Sequence, residues 1–487
     1  MTRHESAFRM RRRPPGWRKL TFPSRGILHL TPRRHKPVRQ RARDLLDWLR
    51  LVVRSFTLWA SLSVYLFATG DLLWGGVTAF ATIVALIFPA GIREFDMRLD
   101  DEFSTDSAEF LSTVTGVTGV PAVGGNSITL YNNGSEFYPA MLEAIRGAQH
   151  SITMEQYIFN SGNIGRDFAE AFAERARAGV TVKLLVDAVG GAGLSREIVE
   201  IITSAGCELR WFHPLRWFSL HRINNRTHRK SVILDGRIAF TGGAGIDDQW
   251  CGSASGPKEW RDMQIRLEGP AVGGLQSGFA TNWLETTGEV IVGPRFYPAL
   301  ETTGGLDVQT VLSSPKSGSY TASLLHSLVI LCARRSIFIA NPYFVPGHRT
   351  IEMFADAVER GVKVRIMMSG SHCDTWWARK NSVRLYGKLL AAGVELYEYD
   401  TTMLHHKTMI VDGIWATIGT SNFDHRSFQH NEESMVCFYD PDLVARMSDI
   451  YTNDLRCCRR IELDEWGKRG WINRSGELVA ALLRDQV

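Results

Sequence analysis

The hydrophobic positions change rhythm along the chain. Residues 55–70 and 72–92 carry no charged side chain, and the second run is 21 residues long, enough to cross a hydrocarbon core of ~30 Å. Gly70-Asp71 separates the runs where a tight turn fits, so the pattern predicts a transmembrane helical hairpin over residues 55–92. The first span would draw on Leu51, Val52 and Val53 and let Arg54 snorkel to the headgroups. In the other reading only the second run inserts and the first lies on the surface. Residues 93–125 are polar and rich in Ser, Thr and Gly, and read as a linker.

Beyond residue 126 strand and helix patterns alternate, and they do so twice. Residues 151–159 read as a buried strand, 166–178 as a helix stopped by Gly179, and 180–187 as the next strand. The second half repeats this order: a strand at 336–344, a helix at 350–360 with Thr350 as its N-cap and Gly361 as its stop, and a strand at 362–368. The chain thus divides into a tail (1–54), a membrane segment (55–92), the linker (93–125), two similar halves (126–300 and 301–465) and a C-terminal tail (466–487). An internal duplication of alternating elements predicts an α/β fold, with two pseudo-two-fold-related halves, each a mixed sheet flanked by helices.

Charge sharpens this division. The net charge is +5, yet residues 1–54 hold 16 Lys/Arg against 3 Asp/Glu. The remainder is acidic by roughly −8, which argues against a basic nucleic-acid groove. Arginines ahead of the first span predict a cytoplasmic N-terminus. Two spans would return the rest of the chain to the cytoplasm, whereas one would export it. The apolar run starts too late for a signal peptide. Seven cysteines, an odd number without metal-like spacing, read as reduced thiols, the adjacent Cys457 and Cys458 included.

The candidate chemistry lies in a repeated string. His228-Arg-Lys230 leads to Asp235, and His405-His-Lys407 leads to Asp412, the histidines lying 177 residues apart. Each string is followed by a glycine-led turn, Gly242-Gly243-Ala244-Gly245 and Gly419-Thr420-Ser421-Asn422. On a strand, His and Lys two residues apart share a face. One neutral imidazole can attack phosphorus while the other, protonated, serves the leaving alkoxide. Lys230 and Lys407 would neutralise the non-bridging phosphate oxygens, and Gly243, Thr420, Ser421 and Asn422 would add phosphate-binding donors. Asp235-Gly236 and Asp412-Gly413 are type I′ hairpin signals, so these aspartates have a structural reading beside the catalytic one. Two lysines in one site repel a divalent cation, no zinc spacing or Walker loop occurs, and no metal, nucleotide or other cofactor is expected.

The duplicated strings resemble the phospholipase D superfamily. Asn225-Arg226-Thr227-His228-Arg229-Lys230, Phe240-Thr241-Gly242-Gly243, Trp260-Arg261-Asp262 and Met403-Leu404-His405-His406-Lys407-Thr408 resemble its bacterial cardiolipin synthase branch, over about residues 126–462. The resemblance implies a duplicated phospholipase D-type sandwich after the membrane hairpin, with Asp262 and Glu433 as histidine-orienting acids. It also implies a membrane-bound phosphatidyltransferase of the bacterial inner membrane, joining two phosphatidylglycerol molecules and releasing glycerol through a phosphohistidine on His228. Its partners would be phosphatidylglycerol and anionic membrane lipids, with nucleic acid disfavoured and oligomeric state open. The first glycine turn has Gly245 where the second has Asn422, which suggests donors mainly from the second half. Trp211-Phe212, Trp217-Phe218 and Trp376-Trp377 are candidates to line an approach for acyl chains. The alternatives are a phospholipase D making phosphatidic acid, a phosphatidyltransferase using another alcohol, a nuclease, and a non-catalytic membrane scaffold of the same fold.

Overall fold

A computed structural model describes residues 56–87, 97–215, 224–314 and 320–467, with Glu477 and Ala480. Residues 1–53 lie outside the described residues. The basic tail, most of the C-terminal tail and the pair Trp217-Phe218 therefore lie outside them too.

The apolar runs do form a helical hairpin, α1 (Phe56–Ala68) and α2 (Leu72–Ile87). Gly70 turns the chain at φ +87°, and Asp71 caps α2 by accepting from Trp74 N at 3.1 Å. The helices have 13 and 16 residues, about 20 and 24 Å at 1.5 Å per residue. No helix among the described residues is long and apolar enough to cross a membrane. The rest of the apolar runs, residues 55 and 88–92, and residues 51–53, which would extend the first span, fall outside the described residues. Val64, Leu72, Leu73 and Phe80 of the hairpin are exposed.

Part of the expected linker is helical. Residues 108–118 form α3 (Ala108–Thr118), which buries Phe110 and Val114 in the core of the second half. Just before it, Thr105 donates its hydroxyl to Asp412 at 2.5 Å.

The first half runs β1 (Val123–Asn132), α4 (Gly134–Gly147), β2 (Ser151–Gln156), α5 (Asn163–Arg177), β3 (Thr181–Asp187), α6 (Arg196–Ser204), β4 (Glu208–Phe212), β5 (Arg226–Thr227), β6 (Ser231–Leu234), β7 (Ile238–Gly242), β8 (Met263–Glu268) and α7 (Val272–Thr287). The second runs β9 (Leu306–Ser313), α8 (Thr321–Cys332), β10 (Ser336–Ala340), α9 (His348–Glu359), β11 (Lys363–Ser369), α10 (Trp376–Ala391), β12 (Glu395–Tyr399), β13 (Lys407–Val411), β14 (Trp415–Gly419), α11 (His425–Gln429), β15 (Asn431–Tyr439), α12 (Pro441–Leu455), β16 (Cys458–Ile461) and α13 (Leu463–Gly467). Both expected helices start early. The first begins at Asn163, and α9 has Gly347 as its N-cap, so Thr350 lies inside the first turn.

The two half-sheets join into one mixed sheet of 16 strands. Outward from the middle the first half reads β1-β8-β7-β6-β2-β3-β4 and the second β9-β15-β14-β13-β10-β11-β12, with β16 added at the far edge. The equivalent strands β1 and β9 pair antiparallel where the halves meet, as a local two-fold axis requires. Helices α4 to α6 cover an outer core of the first half, and α3 and α8 to α10 one of the second. A third core, under α7 and α12, draws Ile265 from the first half and Val436 from the second. All seven cysteines are free thiols.

Candidate active site

Both strings sit where the fold changes direction. β2 and β3 run parallel, and β6 returns antiparallel beside β2 with Glu155 opposite Ser231. Lys230 and His228 precede β6, so they lie at the end of the sheet where β2 and β3 finish. Ala340 opposite Thr408 places Lys407 and His405 in the same way beside β10.

Short cross-half pairings fix the partners. β5 pairs with the start of β15, Thr227 opposite Glu432, and His228 N donates to Glu432 O at 2.9 Å. Its counterpart is a bridge between Arg261 and Leu404, with His405 N donating to Arg261 O at 2.7 Å and Arg261 N to Met403 O at 2.8 Å. The next side chains meet across the halves. His228 Nδ1 lies 3.1 and 3.0 Å from the two oxygens of Glu433, and His405 Nδ1 lies 2.7 Å from Asp262 Oδ2. Each half therefore supplies the acid for the other half's histidine. Glu432, the neighbour that could have competed with Glu433, is paired with Arg229 at 2.9 Å.

With Nδ1 engaged, Nε2 of each imidazole is the atom left for chemistry. Lys230 Nζ donates to His228 O at 2.9 Å, and Lys407 Nζ donates to His405 O at 2.5 Å while lying 3.0 Å from His405 Nε2. All four groups are buried. Burial, opposed by Glu433 and reinforced by Lys230, pushes His228 down to about 4. Burial and then Lys407 push His405 to about 3 against the pull of Asp262. Burial and the charge of Lys407 bring Lys230 down to about 7, and burial brings Lys407 to about 8. Burial raises Asp262 and Glu433, but their hydrogen bonds and the nearby cations outweigh it, and both stay below the ordinary carboxylate range. The site thus holds two neutral imidazoles, two carboxylates and two lysines poised near neutrality, an arrangement suited to receiving a phosphodiester anion.

The glycine turns brace the acids. A Cβ on Gly243 would stand 2.2 Å from Asp262 Oδ1, so only glycine lets the acid in. In the second half Thr420 occupies that place and donates its hydroxyl to Glu433 at 2.6 Å. The amides of Gly243 and Thr420 donate to Met263 O and Ser434 O at 3.2 and 2.9 Å. Both residues therefore hold the acids and have no donor to spare for phosphate, which corrects the expectation from sequence. Ser421 turns its hydroxyl to Asn422 O at 3.3 Å. The carboxamide oxygen of Asn422 is buried without a protein partner, and it is an acceptor, not a donor for phosphate.

Asp235 and Asp412 stand at the far ends of β6 and β13, about five residues and 16 Å of strand beyond each lysine. Asp235 accepts from the amides of Gln149, His150 and Ser151 at 2.9, 2.6 and 2.8 Å. Asp412 does the same for Arg334, Arg335 and Ser336 at 2.9, 2.7 and 2.8 Å. Both have φ +54°, as a type I′ turn demands. Their structural reading holds, and neither carboxylate serves an imidazole.

Several residues of the site were given no role by the sequence, although Arg229, Trp260 and Arg261 lie in the strings that carry the resemblance. Trp250 Nε1 donates to Asp262 Oδ2 at 2.9 Å, and the rings of Trp250 and Trp260 each lie 5.2 Å from that of His405. Tyr157 faces His228 at 5.2 Å. A buried arginine backs each histidine–acid pair. Arg229 donates to Gly278 O of α7 at 2.9 Å; Arg261 is gripped by Asp454 of α12 through Nε at 3.0 and 3.1 Å and NH2 at 2.9 Å. The aromatic candidates divide: Phe212 is core, whereas Trp376 and Trp377 are 55% and 47% exposed. Among the described residues no group of three or more His, Cys, Asp or Glu side chains is placed to hold a metal ion.

The family described as cardiolipin synthase, PLD-like domain matches residues 141–254 and 329–455, one stretch in each half. Cardiolipin synthase 2 of Bacillus anthracis is 36% identical over 356 residues, covering 72% of this chain and 69% of that protein. The probable cardiolipin synthase YwiE of Bacillus subtilis is 33% identical over 359 residues, covering 73% and 71%. In fold the chain is similar to the phosphatidylserine synthase of Haemophilus influenzae Rd KW20, with a TM-score of 0.61, 12% identity, and coverage of 78% of this chain and all of that one. The likeness spans both halves and both histidine strings, and the chain belongs to the cardiolipin synthase family of phospholipase D-like proteins.

Proposed function

We propose that this protein is a phosphatidyltransferase that joins two phosphatidylglycerol molecules into cardiolipin and releases glycerol. The observation that carries the reading is the crossed pair of dyads, His228–Glu433 and His405–Asp262, with two buried lysines beside them. His228 Nε2 attacks the donor phosphorus; the P–N bond forms as the bond to glycerol breaks, and His405, which takes up a proton on Nε2 when the phosphodiester anion binds, gives that proton to the departing oxygen. A hydroxyl of the second phosphatidylglycerol then loses its proton to His405 and attacks the phosphohistidine, breaking the P–N bond. Lys230 and Lys407 balance the phosphoryl oxygens throughout. Burial of the site disfavours water as the acceptor.

The apolar hairpin, continued by the uncharged residues on either side, would hold the enzyme at the membrane where its substrate lies. The arginine-rich tail would stay on the cytoplasmic side of the bacterial inner membrane.

The test is lipid mass spectrometry of the detergent-solubilised full-length protein given pure phosphatidylglycerol, beside a His228→Ala/His405→Ala variant. Cardiolipin and glycerol from the parent alone support the reading. Phosphatidic acid as the sole lipid product makes the protein a hydrolase, and equal output from parent and variant removes both.

A further inference from the structure

The two sides of the site differ at the rim. In the first half β3 ends at Asp187, whose buried carboxylate is fully engaged. It accepts from Val189 N, Gly190 N and Thr227 N at 2.9, 3.2 and 3.0 Å and lies 3.5 Å from Arg226. In the second half the loop between β11 and α10 carries Asp374, which is exposed. The hydroxyl of Tyr343 donates to its Oδ1 and lies 3.4 Å from Thr375 Oγ1. Burial first, and then Asp374, holds Tyr343 far above its usual range, so it remains a neutral donor.

This pair lies on the His405 side. Tyr343 follows β10 by three residues, and extending the register of Ala340 with Thr408 brings it level with His405. The charge of Asp374 reaches Lys407, which it raises, and Tyr157 across the site. A carboxylate beside an anion site weakens that site by simple Coulomb repulsion. Its presence there calls for a ligand that a carboxylate favours.

We infer that Asp374 and Tyr343 form the acceptor subsite for a vicinal diol, the free glycerol headgroup of the second lipid, and set the choice of alcohol over water. The inference rests on the phosphatidyl-transfer reading. The alcohol must approach beside His405, the base for the second step. Asp374 accepts a hydrogen bond from one hydroxyl, and Tyr343 and Thr375 offer oxygens to the other. The same negative charge keeps the acceptor's own phosphate off the lysine pair. The transfer forms one O–P bond, breaks the P–N bond to His228 and leaves the alcohol proton on His405, so nothing else is consumed.

Product partition tests this. Full-length protein, Asp374→Ala and Tyr343→Phe are each given phosphatidylglycerol in detergent micelles, with and without methanol, and cardiolipin, phosphatidic acid and phosphatidylmethanol are counted. Asp374→Ala is expected to lower the ratio of cardiolipin to phosphatidic acid about tenfold and to lower transfer to methanol, which has no diol, far less. Tyr343→Phe, which keeps the ring, should shift the ratio in the same direction by a smaller factor. An unchanged ratio, whether total turnover holds or drops, makes the pair a loop brace and overturns the inference. If the parent itself forms no cardiolipin, the transfer reading fails and takes the subsite with it, an outcome distinct from a parent that works and a ratio that does not move.

Discussion

Asp262 belongs to the first half of the chain, yet it holds the histidine of the second, its Oδ2 2.7 Å from His405 Nδ1. Glu433 returns the arrangement to His228 at 3.0 Å. Neither half therefore contains a complete dyad, and the site exists only when β1 and β9 have joined the two. Asp262→Asn keeps the size of the side chain but removes the charge that favours a proton on Nδ1, so the reactive Nε2 can be blocked by the wrong tautomer. A loss of about 10²- to 10⁴-fold in kcat is expected, with similar loss for Glu433→Gln. Initial rates of cardiolipin formation at saturating phosphatidylglycerol check this. Rates within about threefold of the parent would show that the acids do not orient the imidazoles.

The motif aspartates should behave differently. Asp235 accepts three backbone amides at the start of β2, and Asn at that position supplies one oxygen for all of them. Asp235→Asn is expected to cost about 1–3 kcal/mol of stability, read as a lower unfolding midpoint, while kcat per folded molecule stays close to the parent's. A fall of a hundredfold in kcat with an unchanged midpoint would restore a catalytic role.

Much of this was legible because chemistry and folding left separate marks. The duplication showed in the repeated strings, and the Asp-Gly turns showed in two residues that tolerate positive φ. Which acid serves which histidine did not show, because sequence order places Asp262 after His228 and Glu433 after His405. Only strand pairing reverses the partners. Thr420 and Gly243 looked like phosphate donors for a similar reason: a hydroxyl and a glycine beside a phosphate motif suggest anion binding, whereas here one completes Glu433 and the other makes room for Asp262. Asp454 gave no signal at all, as its partner Arg261 is 193 residues away.

Asp454 reaches His405 through Arg261. It takes three contacts from the guanidinium, and the backbone of Arg261 in turn receives His405 N and donates to Met403 O. His406 Nε2 lies 3.6 Å from the same carboxylate. Asp454→Asn leaves a buried arginine short of its counter-charge, a change that typically costs about 3–5 kcal/mol, and loosens the bridge that sets Asp262 against His405. A lower kcat with little change in KM is expected, together with a shifted pH profile, because the environment of His405 changes. Asp454→Glu should recover part of the rate. A variant with a lower unfolding midpoint but the parent's kcat and pH profile would confine Asp454 to packing.

The lysines give the site a pH response whose sign follows from their environment. Burial and the charge of Lys407 bring Lys230 to about 7, and burial brings Lys407 to about 8 against the pull of the nearby carboxylates. An anion is held by the protonated amines, so affinity should be greatest below pH ~7 and fall as pH rises through both values. Sulfate is a suitable probe because its own charge is constant over this range. Its Kd is expected to rise at least tenfold between about pH 6 and pH 9, and binding near pH 7.5 should take up protons, since the anion raises both lysines. Calorimetry in buffers of different ionisation enthalpy measures both quantities. Lys230→Met should flatten the lower part of the profile and Lys407→Met the upper part. An affinity independent of pH, with no proton uptake, would mean that both amines are already fully charged, and that Coulomb attraction from solvated lysines rather than a buried, tuned pair holds the phosphate.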